Sequence, residues 1–145
     1  MKHKKKVFAI LLAAVLLLAL FAGCENVSPE GKYYIKSIGG QTIEDYIAQL
    51  LEKDGMTLDD VLKAYGIGSI GEYSTIEFKS DGTVVREYAG NEELNQQLLK
   101  LGLTWEKKGS RIIIKHQDGT TQEAALKGSE ITLKSNDIEY VFVKK

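Results

Sequence analysis

Short polar turns divide the second half of the chain, and they constrain its fold more than any other feature. Each has two or three residues and contains glycine, aspartate or asparagine, at positions 80–82, 108–109, 117–119, 128–129 and 136–137. Turns this short join antiparallel neighbours. The segments between them alternate apolar and polar residues, which is typical of strands with one buried face. The sequence therefore predicts an antiparallel meander.

Eight strands are expected, at 32–38, 73–79, 83–88, 103–107, 111–116, 120–126, 130–135 and 138–143. The apolar faces meet across every turn if the register pairs Phe78 with Val84, Trp105 with Ile112, Ile114 with Gln122, Leu126 with Ile131 and Leu133 with Tyr140. A one-residue slip would exchange the two faces, so this agreement supports the register. Eight up-and-down strands with one dry face close most economically into a barrel, whose interior is filled by side chains or holds one small ligand.

Three short amphipathic helices interrupt the strands. Thr42 precedes an apolar periodicity over 43–51, and Thr57 precedes another over 58–65, so both threonines are expected to cap helices. Asn91 is expected to cap a third helix over 91–101. The predicted fold is mainly β: an eight-stranded antiparallel up-and-down barrel with a helix pair between strands 1 and 2 and a short helix between strands 3 and 4.

The N-terminus has the pattern of an export signal. A basic start is followed by an apolar run over 7–21 and then by Ala22-Gly23-Cys24. Small residues before a single cysteine resemble the bacterial lipobox, which implies that the Cys24 thiol is diacylated and that the chain is cut just before it. We expect residues 1–23 to be a lipoprotein signal peptide, 24–31 the lipidated cysteine and a short tether, and 32–145 the barrel domain. The alternative is an uncleaved transmembrane anchor.

The charge and the cysteine content of the chain exclude nucleic acid as a partner and a disulfide as a source of stability. The chain has 19 basic and 20 acidic residues; four lysines and no acids precede Cys24, which leaves 15 against 20 and a net charge of −5 afterwards. So acidic a domain is a poor binder of nucleic acid, and we expect none. Cys24 is the only cysteine, so no intrachain disulfide can form. The stability of the fold must come from packing.

Several short segments resemble a known family. Three segments are similar to parts of small bacterial lipocalin-like lipoprotein domains of the calycin type: Gly31-Lys32-Tyr33, the strand and turn at 75–83, and Leu103-Thr104-Trp105-Glu106. The resemblance implies a lipocalin-like barrel with a ligand site at one end. Tyr33 stands where lipocalins carry tryptophan. The segment Ile138-Glu139-Tyr140 lacks the arginine that fatty-acid-binding proteins place near their final tyrosine. The resemblance therefore does not imply that this chain binds a fatty acid through such an arginine.

Five polar side chains are expected to point inward near the helical mouth of the barrel: Ser37, Arg86, Tyr88, His116 and Gln122. A mostly apolar pocket with a few convergent polar groups is typical of a ligand site, and Arg86 would favour a carboxylate or a phosphate. The alternative is that these side chains lie at the rim in water or pair with one another. An arginine buried without a partner would be costly.

The expected function is that of a lipoprotein on the extracytoplasmic face of a bacterial cell membrane. Its non-catalytic domain would bind a small apolar or amphiphilic ligand at the helix-covered mouth. The alternative is a protein-interaction or inhibitor-type envelope lipoprotein with a filled barrel. His116 is the only histidine after Cys24, and no residues at catalytic or metal-ligand spacing accompany it. We therefore expect no enzyme activity, metal or cofactor.

Overall fold

The structure, a computed structural model, describes residues 28–145, and one antiparallel sheet of nine strands dominates it. The strands are β1 (Gly31–Ile38), β2 (Gln41–Thr42), β3 (Ser74–Phe78), β4 (Val84–Tyr88), β5 (Thr104–Lys108), β6 (Arg111–Lys115), β7 (Thr121–Lys127), β8 (Glu130–Ser135) and β9 (Ile138–Lys144). The predicted signal peptide, Cys24 and residues 25–27 of the predicted tether lie outside the described residues.

Eight of the strands form a nearly closed barrel. Along the sheet they follow the order β4-β3-β1-β9-β8-β7-β6-β5, and β2 only extends the end of β1. The two ends of this order meet at a bridge between Thr83 and Thr104, where Val84 N–H donates to Leu103 O at 3.0 Å and Trp105 N–H donates to Gly82 O at 2.9 Å. The predicted mainly β fold is therefore confirmed, and its architecture is compatible with a lipocalin-like barrel.

The helices are those that the sequence predicts. Helix α1 (Ile43–Glu52) begins after Thr42, α2 (Leu58–Tyr65) begins after Thr57, and α3 (Glu92–Lys100) begins after Asn91. At each start the cap side chain accepts a hydrogen bond from the backbone three residues on, which satisfies one of the orphan N–H groups of a helix. A 3₁₀ helix at Ile70–Tyr73, which the sequence did not predict, leads into β3.

Four of the five predicted pairings across turns are observed. The exception is the hairpin of β5 and β6, where Trp105 pairs with Ile114 and not with Ile112. The turn there is Gly109-Ser110, one residue later than predicted, because Gly109 takes the first turn position with a φ of 63° that glycine adopts at no steric cost. The shift of two residues keeps the inward face unchanged.

Apolar side chains fill the base of the barrel, the end at which β1 begins. Tyr33, Phe78 and Trp105 meet edge to face there, with ring centroids 5.8 and 6.1 Å apart. Trp105 and Tyr140 are only partly buried, whereas six other inward-facing residues of the strands are buried: Ile76, Phe78, Ile112, Ile114, Leu133 and Phe142. Ile43 and Ile47 of α1 and Val61 of α2 join the same apolar cluster. The interior is therefore packed over much of its length.

Replacing Phe142 by alanine tests this packing. Phe142 has no exposed surface, so Phe142→Ala should lower the free energy of unfolding by about 3–5 kcal/mol, through lost burial and the cavity left behind. Denaturant unfolding of the full chain measures it. The control is Glu139→Ala on the same strand, an exposed position where a change within about 0.5 kcal/mol is expected. Similar effects of the two substitutions would contradict a packed interior around Phe142.

Candidate functional site

A cavity of about 190 Å³ lies at the mouth of the barrel, the end opposite Gly31. Its lining comes from strands β4, β7, β8 and β9 and consists of Arg86, Tyr88, Gln122, Leu133, Ser135, Tyr140 and Phe142. The alternation of each strand places these side chains on the inward face, next to the residues that fill the base. Apolar Leu133 and Phe142 therefore lie beside five polar side chains.

Arg86 supplies the only charged group of this lining. Its strand neighbours on the same face are Val84 and Tyr88, and across the ladder it pairs with the fully buried Ile76. The guanidinium is thus partly buried among apolar side chains. Such a group loses hydration and requires hydrogen bonds or an opposite charge in return.

The protein satisfies the Arg86 guanidinium only in part. Nη2 donates to the Tyr88 hydroxyl at 3.2 Å, and the guanidinium carbon lies 5.8 Å from the centre of that ring. The Nε atom is buried and has no hydrogen-bond partner, alone among the buried side-chain nitrogens and oxygens of residues 28–145. The ion pairs found in this part of the chain join other residues, on the surface: Lys36 with Glu130, Arg111 with Glu123 and Lys115 with Glu106.

Helix α3 fixes the backbone of Tyr88. Asn95 Oδ1 accepts from Tyr88 N–H at 2.7 Å, and Asn95 Nδ2 donates to Tyr88 O at 3.0 Å. The backbone N–H and the backbone C=O of Tyr88, at the end of β4, therefore both form hydrogen bonds with the Asn95 side chain. No helical residue lines the cavity itself, so α3 acts on the cavity through Tyr88.

Arg86, Tyr88 and Gln122 are brought together as the sequence predicts. Gln122 lines the opposite wall, and its Nε2 makes one long hydrogen bond of 3.4 Å to Lys134 O. Ser135 and Tyr140 also line the cavity, although they are not among the five predicted residues. The register could have identified them, because Tyr140 pairs with Leu133 on the inward face and Ser135 follows Leu133 two residues later on the same strand.

Ser37 does not lie on the inward face as predicted. The ladder between β1 and β9 is irregular between Ile35 and Ser37, so that Ile35 pairs with Phe142 but Ser37 pairs with Val141. A β-bulge of this kind inserts one residue and reverses the alternation beyond it. Ser37 therefore shares the face of Val141, and Ile38 packs inward in its place.

His116 follows β6 in the turn to β7 and is not among the residues that line the cavity. Its backbone forms the turn, with His116 N–H donating to Thr120 O at 2.9 Å and Gly119 N–H donating to His116 O at 3.1 Å. Within residues 28–145 no group of three or more His, Cys, Asp or Glu side chains could hold a metal ion. The structure thus gives His116 a place in a turn and not in the cavity.

No helix within residues 28–145 combines the length and apolar character needed to cross a membrane.

The turn beside His116 gives a prediction about Asp118. The Thr120 hydroxyl and backbone N–H both donate to Asp118 Oδ1, at 2.7 and 2.9 Å, and His116 adds a smaller electrostatic contribution, so the pKa of the carboxyl lies below its ordinary value. Thr120→Val removes the hydroxyl and should raise that pKa toward the ordinary value. The contribution of these bonds to stability is present above the pKa of the unfolded chain and is lost as the pH falls through the depressed pKa.

Carbon-detected NMR titration of the Asp118 carboxyl in both proteins measures this shift. Thr132→Val is a matched control, because this threonine lies on β8, away from the turn. An equal Asp118 pKa in the parent and in Thr120→Val would contradict the role of the hydroxyl.

Comparison with known proteins finds no relative of this chain: no protein-family model, no curated protein and no solved structure matches it.

Proposed function

We propose that this protein is a lipid-anchored binding protein of the extracytoplasmic face of a bacterial membrane. Its lipocalin-like domain takes up a small apolar or amphiphilic molecule at the mouth of the barrel and does no chemistry on it. The observation that carries the proposal is the mouth cavity, in which two apolar side chains adjoin five polar ones. Ligand sites pair an apolar wall with placed polar groups, and in this cavity the polar side chains are the majority, which suits the polar end of an amphiphilic molecule.

Three of the five residues predicted from the sequence lie in one cavity, which favours binding there over a rim of solvated side chains. Arg86, Tyr88 and Gln122 come from β4 and β7, strands that are not neighbours in the sheet. Their convergence therefore depends on closure of the barrel. Ser37 and His116 have no part in the proposed site.

The anchoring half of the proposal rests on the sequence. Cys24 follows small residues at the end of an apolar run, and the seven-residue segment 25–31 joins it to the start of β1 at Gly31. A fully extended segment of that length reaches about 25 Å. The base of the barrel would then lie near the membrane, with the mouth directed away from it.

Replacing Cys24 tests the anchor. Intact-protein mass spectrometry of the parent protein should show a chain that begins at residue 24 and carries the mass of the acyl chains. Cys24→Ser should lose that acyl mass, since a serine hydroxyl cannot form the thioether. A parent protein with an uncleaved, unacylated N-terminus would instead indicate a transmembrane anchor.

Native mass spectrometry of the full-length protein, purified in a non-ionic detergent after exposure to cell-envelope extracts, tests ligand binding. A stoichiometric small-molecule adduct is expected, and Arg86→Gln should lose it. His116→Ala should keep the adduct, because His116 does not line the cavity. Absence of any adduct, or its equal loss in both folded variants, would contradict binding at the mouth.

A protein-interaction role is the second candidate. The observation in its favour is a set of exposed apolar side chains at or near the helices: Leu50 at 53 % exposure, Met56 at 43 %, Leu99 at 53 % and Leu101 at 42 %. Exposed apolar patches mark interaction surfaces when they are contiguous. A Leu50→Ser and Leu99→Ser double variant that loses an envelope partner while keeping the small-molecule adduct would support this role.

A further inference from the structure

We infer that the mouth cavity selects a compact carboxylate, whose charged group binds the Arg86 guanidinium. This inference rests on the proposed function and names the class of its ligand. Three observations carry it: the unpartnered Nε of Arg86, the composition of the cavity lining and the volume of the cavity.

The first step concerns charge. A buried N–H of an ionised group that has no acceptor destabilises the protein, because the group has lost its hydration without a hydrogen bond in return. In Arg86 this donor is Nε, while Nη2 has only the neutral Tyr88 hydroxyl as its partner. No carboxylate of the protein lines the cavity. Residues 28–145 therefore leave the charge of Arg86 without compensation, and an anionic ligand in the cavity would supply the missing opposite charge.

The second step distinguishes a carboxylate from a phosphate. The guanidinium fork matches the two oxygens of a carboxylate in a bidentate pair. A phosphate carries more charge and more acceptor oxygens, and it is normally bound by several cations or by a run of backbone N–H groups. The cavity has one cation, and its other polar groups are neutral: the hydroxyls of Tyr88, Ser135 and Tyr140 and the amide of Gln122.

The third step concerns size. At about 190 Å³ the cavity is smaller than the sites that hold drug-sized molecules, which begin at about 300 Å³. Leu133 and Phe142 form part of its wall, and both belong to the buried core, so no channel into the packed base is open to a long chain. The apolar part of the ligand is therefore a single ring or a short chain.

Isothermal titration calorimetry of the full-length protein in zwitterionic nanodiscs tests the inference with four probes. Benzoate should bind. Benzamide, which has the same shape without the charge, should bind at least about tenfold more weakly, the effect of losing one charge-assisted hydrogen bond. Inorganic phosphate should bind more weakly than benzoate. Cholate, a rigid four-ring carboxylate, should not compete with benzoate.

Two substitutions of Arg86 and one control substitution complete the experiment. Arg86→Gln should weaken benzoate binding at least about tenfold, and Arg86→Lys should also weaken it because lysine keeps the charge but loses the fork. Arg111→Gln is the matched control: Arg111 is the other arginine of the chain and forms a surface ion pair with Glu123, so benzoate binding should stay unchanged. If Arg86→Gln fails to fold, the comparison of benzoate with benzamide on the parent protein decides the question.

The outcomes separate this inference from the proposed function. Equal binding of benzoate and benzamide, or tighter binding of phosphate, would overturn the carboxylate assignment while an adduct in native mass spectrometry kept the binding function. Competition by cholate would overturn the size limit. Absence of both benzoate binding and any native adduct would overturn the two together.

Discussion

The pairing of β1 with both β3 and β9 is the interaction on which the rest of the structure depends. The other strands fall into two groups that are continuous along the chain, the hairpin of β3 and β4 and the meander from β5 to β9. Without β1, these groups would be joined only near Thr83 and Thr104. Because β1 is far from β9 in sequence, this closure costs chain entropy, which burial of Tyr33, Ile35 and Phe142 offsets.

Closure by β1 also creates the difference between the two ends of the barrel. At the base, three aromatic rings fill the interior, and Lys144 Nζ donates to Glu30 O at 2.6 Å beside the start of β1. At the mouth, β4 extends beyond its contact with β5, and α3 supports it through Asn95. Arg86 lies on this extension. A charge held here without an opposite charge reduces stability, which is a common property of binding sites.

Much of this fold could be predicted because its signals are local. The helix starts depend on Thr42, Thr57 and Asn91, whose side chains act on backbone groups within three residues. Most of the hairpin registers depend on the length of the turn and on the alternation of apolar and polar residues in the flanking strands, which are also local features of the sequence. The convergence of Arg86, Tyr88 and Gln122 also followed from the inward alternation of their strands.

The features that escaped prediction depend on contacts that are distant in sequence. The bulge that turns Ser37 outward is visible only in the pairing of β1 with β9, since alternation within β1 alone would continue through it. The hydrogen bonds of Asn95 to Tyr88 depend on how α3 packs against β4. The volume of the cavity depends on rotamers of residues from four strands, which no pattern within one strand specifies.

The decisive measurement is a crystal structure of the protein with benzoate, because it shows which group binds the Arg86 guanidinium. We expect a carboxylate oxygen within about 2.7–3.2 Å of a nitrogen of the Arg86 guanidinium, inside the cavity bounded by Tyr88, Gln122 and Tyr140. An Arg86 side chain paired with a carboxylate of the protein itself, with benzoate bound elsewhere, would contradict it.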